Sequence, residues 1–206
     1  MHLIPNRGNL MIAKRFAVAV AVVFVAFSAL GARKASTVPG KYEGWGPDID
    51  AIEIVKTFKT SDYARVVVQP LDVSSTPKPE EADMVEKFEK ASRRATDSFL
   101  KGLKKNVPDA AMAEAQPAAT RVLIVRGKVT MLEPGSRAKR MWVGYGAGAS
   151  RAAISGEIVD GQTGEVLARF TQERRSGFDH FAGYEEIMVR NLVAIGEDVG
   201  NLLKEF

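Results

Sequence analysis

Cysteine is absent from the 206 residues. That excludes disulfides, thiolate zinc sites, thiol nucleophiles and a lipid-modified cysteine. Histidine is almost absent too: His2 lies near the start, and His180 is the only other one. Metal sites built on His or Cys are therefore out, and the carboxylates show no calcium-loop spacing. Acidic residues are missing from the first 31 positions, where Arg7, Lys14 and Arg15 are the only charges. The formal charge is +4, but outside that stretch 26 basic residues face 25 acidic ones. A nucleic-acid binder carries its basic excess on the folded domain, so nucleic acid is not an expected partner.

Long apolar runs are scarce as well. One is present, residues 16–30, FAVAVAVVFVAFSAL, with only Ser28 polar. Positive charge alone ahead of it and small residues behind it are the marks of a secretory signal peptide. Ala29 and Gly31 place cleavage before Ala32. The run is shorter than the roughly 20 residues a spanning helix needs. An uncleaved N-terminal anchor is the alternative, and Met11 is an alternative start with its own basic region. Residues 1–31 are thus expected to be a signal peptide or membrane anchor. Residues 32–62 are expected to form an extended lead-in, and 63–206 a single domain.

Pro39, Gly40, Gly44, Gly46 and Pro47 interrupt the lead-in. Trp45 there is expected to pack on the domain, and residues 49–59 fit an edge strand or a short helix. Residues 63–73 read as a strand, with Val66, Val67 and Val68 continuous as in a strand buried on both faces. Residues 77–105 read as one helix. Glu80, Glu81 and Asp83 load its start, and Lys101, Lys104 and Lys105 its end. Met84, Phe88, Ala91, Ala95, Phe99 and Leu103 form its apolar stripe.

Residues 121–132 alternate as a strand, with Leu123, Val125, Val129 and Met131 facing one way. Residues 151–160 and 165–175 form a hairpin about Asp160-Gly161-Gln162-Thr163-Gly164, with Ala152, Ile154, Ile158, Val166, Ala168 and Phe170 inward. Residues 184–206 form a closing helix whose stripe includes Ile187, Met188, Asn191, Leu192, Ile195, Val199 and Leu202. Gly196 and Gly200 within it imply a close approach to the sheet or a partner, each costing roughly 1 kcal/mol relative to Ala. The expected fold is α+β: a mixed or mostly antiparallel sheet of about four strands, with two amphipathic helices packed on one face.

The most distinctive segment is residues 133–150, EPGSRAKRMWVGYGAGAS. A phosphate cradle fits poorly. No Lys and Ser/Thr follow the last glycine, and the segment opens a strand rather than a helix, so no nucleotide or other cofactor is expected. Two readings stay open. Gly144, Gly146 and Gly148 can leave a groove for Trp142 or a helix. Alternatively, Arg137, Lys139 and Arg140, with Arg151, can offer a contact surface to an anionic membrane, a cell-wall component or an acidic envelope protein.

Residues 133–148, followed by ISGEIVDGQTGEVLA at 154–168, resemble the bacterial envelope family known as domain of unknown function 4410. The resemblance covers roughly residues 63–206. It implies a small periplasmic or outer-membrane, lipoprotein-like α+β protein, here without the lipidated cysteine. It supplies no catalytic residues.

No catalytic constellation emerges. Ser155 and Ser176 sit on no nucleophile elbow. Glu185 and Glu186 are explained by the start of the closing helix, although such groups can do acid–base work. The expected function is a non-catalytic envelope module that binds or assembles. The alternative is a periplasmic hydrolase or small-ligand-binding protein using Asp179 and His180.

Overall fold

The structure is a computed structural model and describes residues 35–46, 48–113, 121–135, 149–176 and 183–206. Among the described residues, seven strands form one sheet: β1 (Gly40–Trp45), β2 (Ile49–Ile54), β3 (Arg65–Val68), β4 (Ala111–Met112), β5 (Val122–Glu133), β6 (Ser150–Asp160) and β7 (Val166–Ser176). Their order across the sheet is β1-β2-β7-β6-β5-β3-β4. The strands from β1 to β5 in that order pair antiparallel, while β3 runs parallel to both β5 and β4. The described residues contain three α-helices: α1 (Ala82–Arg93), α2 (Ala95–Leu103) and α3 (Tyr184–Lys204). None of them is long and apolar enough to cross a membrane.

The α+β class is as expected, but the sheet is larger than four strands and the described residues hold three helices rather than two. The extra strands come largely from the stretch expected as a lead-in. β1 and β2 form a hairpin through a turn in which Gly46 takes φ +59°, and β2 docks on β7. Ile49, Ile52 and Ile54 are buried there; Gly46 serves a tight turn, and Gly40 and Gly44 lie within β1 rather than in an irregular segment. Trp45 is buried as expected. Its ring and that of Phe58 stack on Phe206, with centroids 5.9 and 4.3 Å away.

The helix expected over 77–105 starts at Ala82 and breaks at Arg94. There the backbone leaves helical geometry (φ −96°, ψ 2°), and the Arg94 amide donates to the Ala91 carbonyl at 3.1 Å. No proline or glycine lies between Ala82 and Lys101 to signal it. The break has a tertiary setting: α2 lies against α3 at backbone contact. A Cβ on Gly102 would enter the Val193 carbonyl, and one on Gly196 the Phe99 carbonyl. The close approach implied by Gly196 and Gly200 is therefore made inside this chain.

All three helices cover one face of the sheet. Phe88, Ala91, Phe99, Leu103, Met188, Leu192, Ile195 and Val199 share a core with Val66, Val68, Leu123, Val125, Ile154 and Ile158. Val67 points the other way, into a small second cluster with Val122, Ile124 and Val159. The valine run is thus buried on both faces, as expected.

Two β-bulges correct the inward sets. In β5 the pairing steps from Val129↔Ile154 to Met131↔Ala153, so Thr130 is an extra residue. An extra residue reverses the alternation beyond it, which turns Leu132 rather than Met131 into the core. In β7 the extra residue is Leu167. Leu167 enters the main core, and Val166 packs against the second cluster. Gly156 leaves room for the ring of its cross-strand neighbour Phe170, since a Cβ there would collide with it.

On the face away from the helices, five directly paired residues alternate in sign: Lys41, Glu53, Arg169, Glu157 and Arg126. Successive ion pairs measure 3.6, 3.4, 3.1 and 2.8 Å. Solvent-exposed pairs contribute about 0–1 kcal/mol each, so this row favours strand register more than stability.

Candidate functional site

Three buried polar groups stand out against the apolar core. Asp160 ends β6 and is 4% exposed. Its Oδ1 accepts from the amides of Gln162 and Thr163 at 2.9 and 3.1 Å, which closes the β6–β7 turn. Its Oδ2 accepts from the Tyr63 hydroxyl at 2.9 Å and from Arg121 Nη2 at 3.0 Å. The Arg121 guanidinium also lies over the Tyr63 ring, 4.5 Å from its centroid. Burial alone pushes the Asp160 carboxyl up. The Thr163 and Gln162 amides, Arg121 and Tyr63 together outweigh it and bring the pKa to about 2. Burial, with the adjacent carboxylate, pushes the Tyr63 hydroxyl up to about 12.

One carboxylate therefore joins the hairpin turn to the chain just ahead of β3 and β5. Its depressed pKa makes the linkage explicit. The stabilisation is fully present above about pH 4 and is lost as pH falls through about 2. The shift corresponds to about 2 kcal/mol. Asp160→Asn is expected to lower stability by about that much at neutral pH. It should also flatten the acid limb between pH 4 and 2, which denaturant titrations across that range would measure. A variant that keeps the parent's acid limb would contradict the assignment.

The second group is Asp198, on the sheet-facing side of α3 and 3% exposed. Arg174 forks onto both of its carboxylate oxygens, and Gln172 Nε2 donates to Oδ2 at 2.8 Å. Arg174 Nη2 also reaches Asp48 in the β1–β2 turn at 3.3 Å, and Asn201 Nδ2 donates to Asp48 at 3.0 Å. Gln172 Oε1 accepts from the Asp50 amide at 2.8 Å. Burial pushes the Asp198 carboxyl up, and the guanidinium offsets only part of that. A cleft of about 230 Å³ opens beside this network, between Trp45, Asp48, Ile49 and the end of α3. Both oxygens of Asp48 and of Asp198 already accept hydrogen bonds, so the arrangement acts as a joint between β2, β7 and α3.

The third group is Asn191, also buried on α3. It accepts from the Ser176 hydroxyl and donates to Ser150 Oγ at 3.3 Å, while Ser150 donates to the Glu133 carbonyl at 2.7 Å. The end of β5, the start of β6 and the end of β7 are thereby tied to α3 at one end of the sheet.

Arg137, Lys139, Arg140, Trp142, Gly144, Gly146 and Gly148 lie outside the described residues, as do Asp179 and His180. Ser155 faces away from the helices between Lys128 and Thr171, and Ser176 is engaged by Asn191. Glu185 pairs with Arg94 at 2.9 Å, and Glu186 accepts from the Gly183 amide at 3.3 Å at the start of α3. Among the described residues, no three His, Asp or Glu side chains are grouped to hold a metal. The sequence reading missed the roles of Asp160 and Asp198. A signal existed for Asp198, which falls beside Ile195, Val199 and Leu202 on the apolar stripe.

No curated protein matches the chain. Among solved structures, it is similar to the PelC dodecamer from Paraburkholderia phytofirmans, at 15% identity and a TM-score of 0.45, covering 71% of this chain and 96% of that one. It is also similar to a Xanthomonas campestris protein of the DUF330 family, at 13% identity and a TM-score of 0.40, covering 68% and 84%. A Helicobacter pylori homologue of a neuraminyllactose-binding hemagglutinin matches at 10% identity and a TM-score of 0.32, covering 72% and 89%. Likeness at these levels assigns no activity. The family model described as domain of unknown function DUF4410 matches residues 61–178, more than half of the chain. The chain belongs to the DUF4410 family.

Proposed function

We propose that this protein is exported and serves the cell envelope as a non-catalytic binding or assembly module. Export rests on residues 1–31, with their positive start and the apolar run at 16–30. The non-catalytic reading rests on one observation above all. The buried polar side chains Asp160, Asp198 and Asn191 are all engaged in hydrogen bonds that join elements. A general base or nucleophile must be free to meet substrate, whereas every oxygen of the two carboxylates already accepts a hydrogen bond.

The Ser150–Asn191–Ser176 joint bears on binding. It fixes the ends of β5, β6 and β7 from which the segments 136–148 and 177–182 depart. The basic residues Arg137, Lys139 and Arg140 belong to the first of these, the segment proposed to make contact. A rigid base limits the ordering entropy that such contact costs.

Two measurements test the proposal. Mass analysis of the protein from fractionated cells should find it in the envelope, with or without the leader. Crosslinked envelopes should yield a specific protein or cell-wall partner, lost when Arg137, Lys139 and Arg140 are replaced together. Intact chain free in the cytosol would end the export reading, and turnover by the purified protein would end the non-catalytic one.

A further inference from the structure

Three consecutive carbonyls just before β1 are each held by a side chain of the domain. The Trp45 indole N–H donates to the Ser36 carbonyl at 2.7 Å. The Thr57 hydroxyl donates to the Thr37 carbonyl at 2.8 Å, and the Tyr42 hydroxyl to the Val38 carbonyl at 2.9 Å. Indole, hydroxyl and phenol donors bonded to successive carbonyls make residues 36–38 a stapled strap. Terminal segments of most domains lack such ties.

The strap ends at the corner of the sheet that carries Val38 and Val55, which are 63% and 43% exposed. These are the exposed large apolar side chains among the described residues. Single exposed valines need no explanation, but here both flank the Thr37–Thr57 hydrogen bond. Lys41, Lys56 and Lys59 are exposed and lie within four positions of one or other valine along the chain. Lys41 and Lys56 make only surface ion pairs, with Glu53 and Glu165.

We propose that this corner rests on an anionic phospholipid surface, with Val38 and Val55 against the headgroup–acyl boundary and the lysines among the headgroups. The inference builds on the envelope reading above. The bilayer is the occupant because of what the chain carries upstream. The apolar run ends at Leu30, followed by Arg33 and Lys34. Seven residues separate Leu30 from Val38, a span of at most roughly 28 Å over the eight steps. A domain tethered through that run would have this corner as its part closest along the chain to the bilayer. Stapling the strap would fix the domain's orientation there. Apolar tips with exposed lysines close along the chain suit such a surface, because basic residues are drawn to anionic lipid.

The absence of cysteine permits a clean test. Val55→Cys and Arg175→Cys are each made in the full chain and labelled with an environment-sensitive fluorophore. Register places Arg175 toward the opposite end of β7 from the residues that pair with β2. With vesicles of mixed zwitterionic and anionic phospholipid, the label at 55 should shift to the blue and be quenched by lipid-borne nitroxide. The label at 175 should do neither, and Lys59→Glu should weaken the response at 55. A label at 55 that stays as water-exposed as the one at 175 overturns the docking. That result would leave the export reading intact, because cell fractionation tests it separately.

Discussion

Gly196→Ala is expected to destabilise the fold by about 3 kcal/mol, although alanine is the better helix former by about 1 kcal/mol. The added Cβ would enter the Phe99 carbonyl and crowd the Leu103 amide, both backbone groups of α2. A flexible side chain could yield, but a hydrogen-bonded helix backbone cannot do so locally. The two helices must move apart, and Ile195, Val199, Phe99 and Leu103 lose packing together. Gly102→Ala should cost a similar amount, because its Cβ meets the Val193 carbonyl from the other side. Gly200→Ala should cost less. Its nearest neighbours are the Asn106 Cβ at 2.8 Å and the Leu103 carbonyl at 3.1 Å, near the end of α2. Denaturant midpoints rank the three variants. A Gly196→Ala protein as stable as the parent would show that α2 and α3 do not meet at backbone distance.

Arg174→Met should be as damaging at neutral pH, by about 3–5 kcal/mol, because it leaves a buried carboxylate without its cation. Asp198 is 3% exposed, and its remaining side-chain donor is Gln172. The sign of the pH dependence distinguishes this cause from lost packing. Burial already holds the Asp198 pKa above its usual 3.8. The folded state therefore binds this proton more tightly than the unfolded one. Stability from this group rises as pH falls through the folded pKa and is lost as pH rises through it. Without Arg174 the pKa moves higher, so the variant's deficit should shrink on acidification from pH 8 toward 4.5. Arg174→Met with Asp198→Asn should recover much of the loss at neutral pH. A deficit constant across that range would assign the damage to packing instead.

The acid behaviour of the parent combines two carboxylates of opposite sign. Asp198 favours folding as pH falls toward 3.8, and Asp160 withdraws stability as pH falls from there toward 2. Both are buried aspartates, and their surroundings separate them. Two turn amides, Arg121 and Tyr63 converge on Asp160. Asp198 lies deep between α3 and β7, where burial outweighs its partners.

Much of this architecture could be read from the residues, because its signals are local. The Asp160–Gly164 turn, the alternation of the long strands, the stripe of α3 and the α+β class need only side-chain period and turn chemistry. The family was legible in the residues for the same reason: the basic-then-glycine segment and the hairpin after it form a contiguous pattern. The leader expected at 1–31 rests on composition alone, and it remains the sequence's own contribution to the proposed export.

Other features depended on distant partners. β1 and β2 became strands because β7 offered β2 an edge and Phe206 offered Trp45 a ring. The break at Arg94 carries no local mark and accompanies the contact of α2 with α3. The bulges at Thr130 and Leu167 exchanged Met131 for Leu132 and Val166 for Leu167, because register is a property of a pair of strands. The partners of Asp160, Asn191 and Asp198 stand 15 to 97 positions away along the chain, apart from the two turn amides. Periodicity reports what each segment can bury by itself. Which polar groups meet, and how close two backbones come, is decided only when the segments share one core.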